Sequence, residues 1–160
     1  RNQASELAPA SLHVITRDII GLSRLELERR AVALELDLAA QGDAIMCQSV
    51  QIQQVMLNLA INAIEAMGNN KGSRTLKISS WNPSEDVIRI EVADSGTGLS
   101  DEVIDKIFDS FYTTKPEGMG MGLTISHAII KRHGGILSAE NRPEGGSLFW
   151  FTLPLITQSD

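Results

Sequence analysis

The hydrophobic period of this chain switches repeatedly between about 3.6 and about 2 residues, and that alternation leaves few folds open. Leu12, Ile15, Ile19, Leu22 and Leu25 recur every three or four residues, which predicts a helix. Ser11 stands where such a helix wants its N-cap, and Arg29-Arg30 suit its C-terminal end. Val32, Leu34, Leu36 and Leu38 then alternate strictly, the pattern of a half-buried strand. Gln41-Gly42-Asp43 turns the chain into a second short strand, Ala44 to Cys47. From about Val50 to Met67 the helical period returns. Ile52, Met56, Leu59 and Ala63 form its apolar stripe, and Gln51, Gln54, Asn58, Asn62 and Glu65 fall roughly opposite.

After a loop at 68–74, strands are expected at Leu76 to Trp81 and Val87 to Ala93, joined through Asn82-Pro83-Ser84. Asp101 to Phe108 reads as a short helix, with Asp101, Glu102 and Asp105 complementing its dipole. Tyr112 to Met121 is polar and glycine-bearing. Leu123 to His133 is a helix stopped by Gly134-Gly135. A hairpin closes the chain, Ile136 to Glu140 and Ser147 to Leu153 about Pro143-Glu144-Gly145-Gly146. The expected class is α/β, a mixed sheet packed on one face by about three helices.

At 160 residues the chain fits one domain. Residues 1–10 are polar and contain Pro9, so they read as a linker or tail from a longer parent protein. Residues 11–155 form the domain and 156–160 a C-terminal tail. A net charge of -6 argues against a nucleic-acid partner and requires local donors for any anionic ligand. The single cysteine, Cys47, has no disulfide partner within the chain. No run of about 20 apolar residues and no charged-then-apolar leader is present, so this fragment is not expected to insert in a membrane and its setting reads as cytoplasmic, with membrane anchoring of the parent protein left open.

Three segments carry chemistry. Asn58 and Asn62 lie one helical turn apart, and an amide oxygen is a hard ligand suited to Mg²⁺. A solvated polar face is the plainer reading of the pair. Asp94-Ser95-Gly96-Thr97-Gly98 follows an apolar strand. Its glycines allow a planar base close to the backbone, and its carboxylate suits an exocyclic amine such as adenine N6 while repelling a guanine carbonyl. An ordinary Asx turn would use the same residues. Gly118-Met119-Gly120-Met121-Gly122 opens a helix, where bare amides and the dipole favour an anion. Leu123 stands where a P-loop would place Lys, and Thr113, Thr114 and Lys115 just upstream can add hydroxyl and cationic contacts to phosphate. His13, His127 and His133 have no metal-ligand spacing, and no Ser-His-Asp set stands in its usual sequence contexts.

Together these segments resemble the ATP-binding catalytic domain of two-component sensor histidine kinases, within the wider Bergerat-fold ATPases. Gln53 to Ala63 is similar to the asparagine box, Asp94 to Gly98 to the first glycine box and Gly118 to Gly122 to the second. Ile107 to Lys115 is similar to the phenylalanine box with its Thr-Thr-Lys extension. Asn-Ala-Ile-Glu-Ala-Met and Thr-Thr-Lys-Pro-Glu-Gly most resemble the oxygen- and nitrogen-sensing branch.

The resemblance implies ATP as substrate, Mg²⁺ on Asn62, Asn58 assisting at the phosphates, and Asp94 on adenine N6. Gly96 and Gly98 would shape the base pocket. Gly118, Gly120, Gly122 and Leu123 would frame a lid, spanning about Asp109 to Met119, and the phosphates. Partners implied are a dimerisation hairpin of the parent protein carrying the phosphoacceptor histidine, and a response regulator.

Many relatives carry a basic residue three positions after the metal-binding asparagine. Glu65 stands there, which makes Lys115 the candidate for that charge. None of the three histidines is followed by Glu or Asp, as the phosphoacceptor is. Rival readings are a Bergerat-fold ATP hydrolase or serine kinase, or a non-catalytic nucleotide-sensing module. The hydrolases and serine kinases place a glutamate base where Asn58 stands, and an amide cannot take that role.

Overall fold

The computed structural model describes residues 6–68, 72–108 and 122–157. Its first element is a strand, β1 (Ala8–Ser11), where the polar composition and Pro9 suggest a linker. Ser11 then caps α1 (Leu12–Arg29), its Oγ accepting from Val14 N at 3.2 Å. The buried stripe of α1 runs through Leu12, Ile15, Ile19, Ile20, Ser23 and Leu27. Leu22 and Leu25, expected inside, are 77% and 71% exposed, because the helical stripe drifts past them onto Ser23 and Leu27. The polar atom this buries is satisfied within the helix, Ser23 Oγ donating to Ile19 O at 3.0 Å.

The chain continues through β2 (Ala33–Leu38), β3 (Ala44–Cys47), α2 (Ser49–Ala66), β4 (Thr75–Ser84) and β5 (Val87–Asp94). After α3 (Asp101–Lys106) and α4 (Gly122–Arg132) come β6 (Ile136–Asn141) and β7 (Ser147–Pro154). β1 and β3 pair antiparallel as a separate two-stranded sheet, Pro9 opposite Met46. In so small a sheet both strands are edges, where a proline's missing donor does little harm. The main sheet has the order β2-β4-β5-β7-β6. Only β2–β4 is parallel; β4–β5, β5–β7 and β6–β7 are antiparallel. The parallel pair requires a crossover, and α2 lies within it.

α2 is the central helix, packing on α1, α4, β4 and β5. Strand alternation gives the sheet one apolar face: Ile88, Ile90 and Val92 of β5 and Phe149, Phe151 and Leu153 of β7 are buried. Against them lie Ile52, Met56 and Leu59 of α2. On the outer face the Arg89 guanidinium stands 4.0 Å from the Trp150 ring centroid and 2.8 Å from Glu91 Oε2. The expected class, a mixed sheet covered on one face by α1, α2 and α4, is the observed one.

One turn differs from the expectation. The β4–β5 hairpin turns at Glu85-Asp86, and Asn82-Pro83-Ser84 belong to β4. Asn82 is drawn out of turn duty by longer-range bonds. Its Oδ1 accepts from Gln41 N and Gly42 N, and its Nδ2 donates to Gly42 O and Val87 O. Pro83 falls in the register shift between Trp81 and Ser84, where a lost ladder bond is tolerated.

Candidate functional site

Asp94 ends β5, a strand flanked by β4 and β7, and is 1% exposed. A carboxylate at that depth needs donors, and the chain supplies them. Oδ1 accepts from Gly96 N at 2.8 Å and Ser147 N at 3.3 Å, and Oδ2 from the Ser147 hydroxyl at 2.5 Å. The Asp94 carbonyl accepts from Arg142 Nη1 at 2.8 Å. A carboxylate offers about four lone-pair sites, so Oδ2 retains room for one further donor.

Two glycines let the backbone close around this group. A Cβ on Gly96 would stand 2.6 Å from Ala66 O, so the turn presses on the C-terminal end of α2. Gly146 has φ +86°, and a Cβ there would overlap the Asp94 carbonyl. Ser95 fixes the turn from the other side, its Oγ donating to Ser73 O and accepting from Thr75 N.

Asn58 and Asn62 project from α2, both half-buried. Asn58 Nδ2 donates to Ser126 Oγ on α4 at 3.2 Å. Asn62 lies one turn before Ala66, the residue against which Gly96 packs. One helix thus carries both amides between the Asp94 turn and α4. Gly122 is the first residue of α4, and Leu123 is half-buried on the core. The α2–α4 pair is stapled at its far end, where Gln48 N donates to His133 Nε2 at 3.1 Å. His133 Nδ1 lies 2.8 Å from Ile129 O, so the ring proton sits on Nδ1. His127 stacks on Phe108 with centroids 5.0 Å apart, and Thr124 Oγ1 donates to Phe108 O.

Thr113, Thr114, Lys115, Gly118 and Gly120, and with them the expected lid, lie outside the described residues. Glu65 is exposed and borders a groove of about 350 Å³ between α1 and α2, together with Leu22, Arg30 and Ile61.

The sequence reading missed four residues that build the Asp94 site: Asn141, Arg142, Gly146 and Ser147. The available signal was Gly145-Gly146-Ser147 ahead of an apolar strand, which reads locally as a hairpin turn. Asp43, His13 and Ser80 form a polar line that the sequence does not reveal, His13 N donating to Asp43 Oδ2 at 3.2 Å. His13 Nδ1 is 3.4 Å from Asp43 Oδ2 and Nε2 is 2.7 Å from Ser80 Oγ. Ser80 is 2% exposed inside β4 and accepts from Ala40 N, so the line braces the start of α1 against the sheet rather than meeting a substrate. Burial lowers the His13 pKa below 6.5; Asp43 opposes this and Arg17 adds to it.

Among the described residues no group of three or more His, Cys, Asp or Glu could cage a metal. The donor set that remains, an amide pair on one helix, suits a cation that keeps most of its coordination for water and ligand oxygens. A buried acceptor walled by glycines suits a flat ring bearing an amino group. Among the described residues no helix is long and apolar enough to cross a membrane.

Comparison with known proteins gives a consistent assignment. Residues 47–157 match the family model described as histidine kinase-, DNA gyrase B-, and HSP90-like ATPase. The chain is 40% identical over 150 residues to the sensor protein FixL of Bradyrhizobium diazoefficiens, covering 94% of this chain and 30% of that protein. It is 38% identical to the sensor histidine kinase TmoS of Ectopseudomonas mendocina, covering 97% of this chain and 16% of TmoS. The chain therefore spans less than a third of these relatives' length. Among solved structures, the nucleotide-free catalytic domain of histidine kinase ThkA superimposes with a TM-score of 0.83 at 32% identity, covering 93% of this chain and 95% of that one. ThkA in complex with the response regulator TrrA gives 0.80 at 28% identity, covering 94% of this chain and 42% of that one.

Proposed function

Because the chain belongs to the histidine kinase-, DNA gyrase B-, and HSP90-like ATPases, as a histidine-kinase catalytic domain, we propose that it binds ATP with Mg²⁺ and donates the γ-phosphoryl group to a histidine of its parent protein's dimerisation hairpin. The observation that carries this reading is the buried Asp94, held by Gly96 and Ser147 with acceptor capacity left on Oδ2. That oxygen accepts the adenine N6 amino group. A guanine would bring its O6 carbonyl to the same place and be repelled, so the pocket selects the base.

Asn62 supplies an amide oxygen to Mg²⁺, which neutralises phosphate charge when bound. Asn58, bonded to Ser126, orients beside the phosphates. The amides of Gly118, Gly120 and Gly122 with the N-terminal end of α4 receive the phosphate oxygens, Leu123 closes the pocket, and Thr113, Thr114 and Lys115 add hydroxyl and cationic contacts.

Asn58 also separates this reading from its rivals. Hydrolysis or transfer to a serine calls for a base at that position, and an amide accepts no proton. A neutral imidazole is already nucleophilic, so positioning and charge neutralisation are enough for transfer to histidine. His133 is held at both ring nitrogens, and His13 and His127 are engaged in structural contacts, which supports an acceptor elsewhere in the parent. A response regulator is the proposed downstream partner, by analogy with the ThkA–TrrA complex.

The reading is tested by calorimetry on Asp94→Asn. The variant should keep its circular dichroism spectrum and lose ATP binding. Wild-type affinity in that variant would overturn the role of Asp94.

A further inference from the structure

We propose that Asn141 is a positioning residue for base selection, acting through the loop that follows Asp94. The side chain of Asn141 reaches from the end of β6 across 42 residues of sequence to a single residue, Leu99. Its Oδ1 accepts from Leu99 N at 2.6 Å and its Nδ2 donates to Leu99 O at 2.6 Å. The amide therefore does for one residue what a neighbouring strand would do, satisfying both backbone groups of Leu99. Only a primary amide has a donor and an acceptor so spaced, and glutamine would place them one methylene too far.

The location gives this clamp its consequence. Leu99 directly follows Gly98, whose φ is +83° and where a Cβ would come 3.0 Å from Asn141 Oδ1. The loop from Asp94 to Leu99 is thus pinned at both ends by one hairpin. Ser147 and Arg142 hold Asp94, and Asn141 holds Leu99. On the far side of Leu99, Ser100 caps α3 by accepting from Val103 N. Freeing Leu99 loosens the glycine wall of the pocket at little cost to the core, because Asn141 is exposed and water can take over its two bonds while half-buried Leu99 still packs on the core.

The inference rests on the proposed adenine site and is tested with base selectivity as the readout. ADP and GDP affinities are measured by calorimetry for wild type, Asn141→Ala and Asn141→Asp, with a urea melt of each. Asn141→Asp retains the acceptor but sets a carboxylate oxygen against Leu99 O. Both variants should weaken ADP binding by roughly three- to tenfold, the scale of one or two modest hydrogen bonds, and lower the ADP-to-GDP preference. Their urea midpoints should stay close to wild type. An unchanged ADP-to-GDP ratio in both variants would overturn the role of Asn141. Wild type without any ADP preference would overturn the adenine site itself, a separate result.

Discussion

Replacing Ser147 by alanine removes one hydroxyl donor from the buried Asp94 carboxylate, and its effect can be worked from the geometry. Asp94 is 1% and Ser147 2% exposed, so no solvent stands by to replace the lost donor. The deleted bond is the 2.5 Å contact to Oδ2; the two bonds to Oδ1 come from backbone N–H groups and remain. A hydrogen bond to a charged acceptor contributes about 1.5–3 kcal/mol, and a vacancy of one oxygen is too small for a well-partnered water. Stability should fall by that amount, which for a chain of this length is a melting shift of about 3–12 °C.

The functional loss should be larger than a stability change explains, because Oδ2 is also the oxygen proposed to meet the base. The assay is urea unfolding followed by the fluorescence of Trp81 and Trp150, paired with ADP calorimetry. Ser147→Thr, which keeps the hydroxyl, should recover most of both losses. An alanine variant with wild-type midpoint and wild-type ADP affinity would refute the view that Ser147 holds the carboxylate.

Two further outcomes follow from other parts of the molecule. Asn62→Ala should bind ATP with an affinity that no longer responds to Mg²⁺, and a preserved metal response would remove Asn62 from the metal site. His13, with its pKa lowered from 6.5 by burial, binds fewer protons folded than unfolded below that pH. Stability should therefore fall as pH drops through the window below about 6.5. His13→Gln should flatten that slope in urea melts at pH 5 to 7, and an unaltered slope would show that another group is responsible.

Much of the fold was legible because the apolar pattern has a local cause. The stripe of Ile52, Met56 and Leu59 and the alternation of Phe149, Phe151 and Leu153 each fix a face without reference to the rest of the chain. β1 was hidden because four residues with a proline carry no readable period, and its partner β3 lies more than 30 residues away. Asn82-Pro83-Ser84 misled for a related reason. Turn chemistry is a local preference, and Asn82 spends its side chain on Gly42 and Val87 instead. Asn58, Asn62 and Asp94 stood out by spacing and by the glycines around them. The residues that hold Asp94 and its loop did not, because Arg142 and Ser147 meet Asp94, and Asn141 meets Leu99, only once β7 pairs with β5. No period or motif near position 94 encodes that encounter.

The measurement that bears most directly on the whole account uses ATP labelled at the γ-phosphate. The chain is incubated with Mg²⁺ and labelled ATP, alone and with a cognate dimerisation hairpin carrying its phosphoacceptor histidine. Acid-labile label should appear on the supplied hairpin and not on this chain. Label on this chain alone, or rapid release of free phosphate with the hairpin unlabelled, would contradict it.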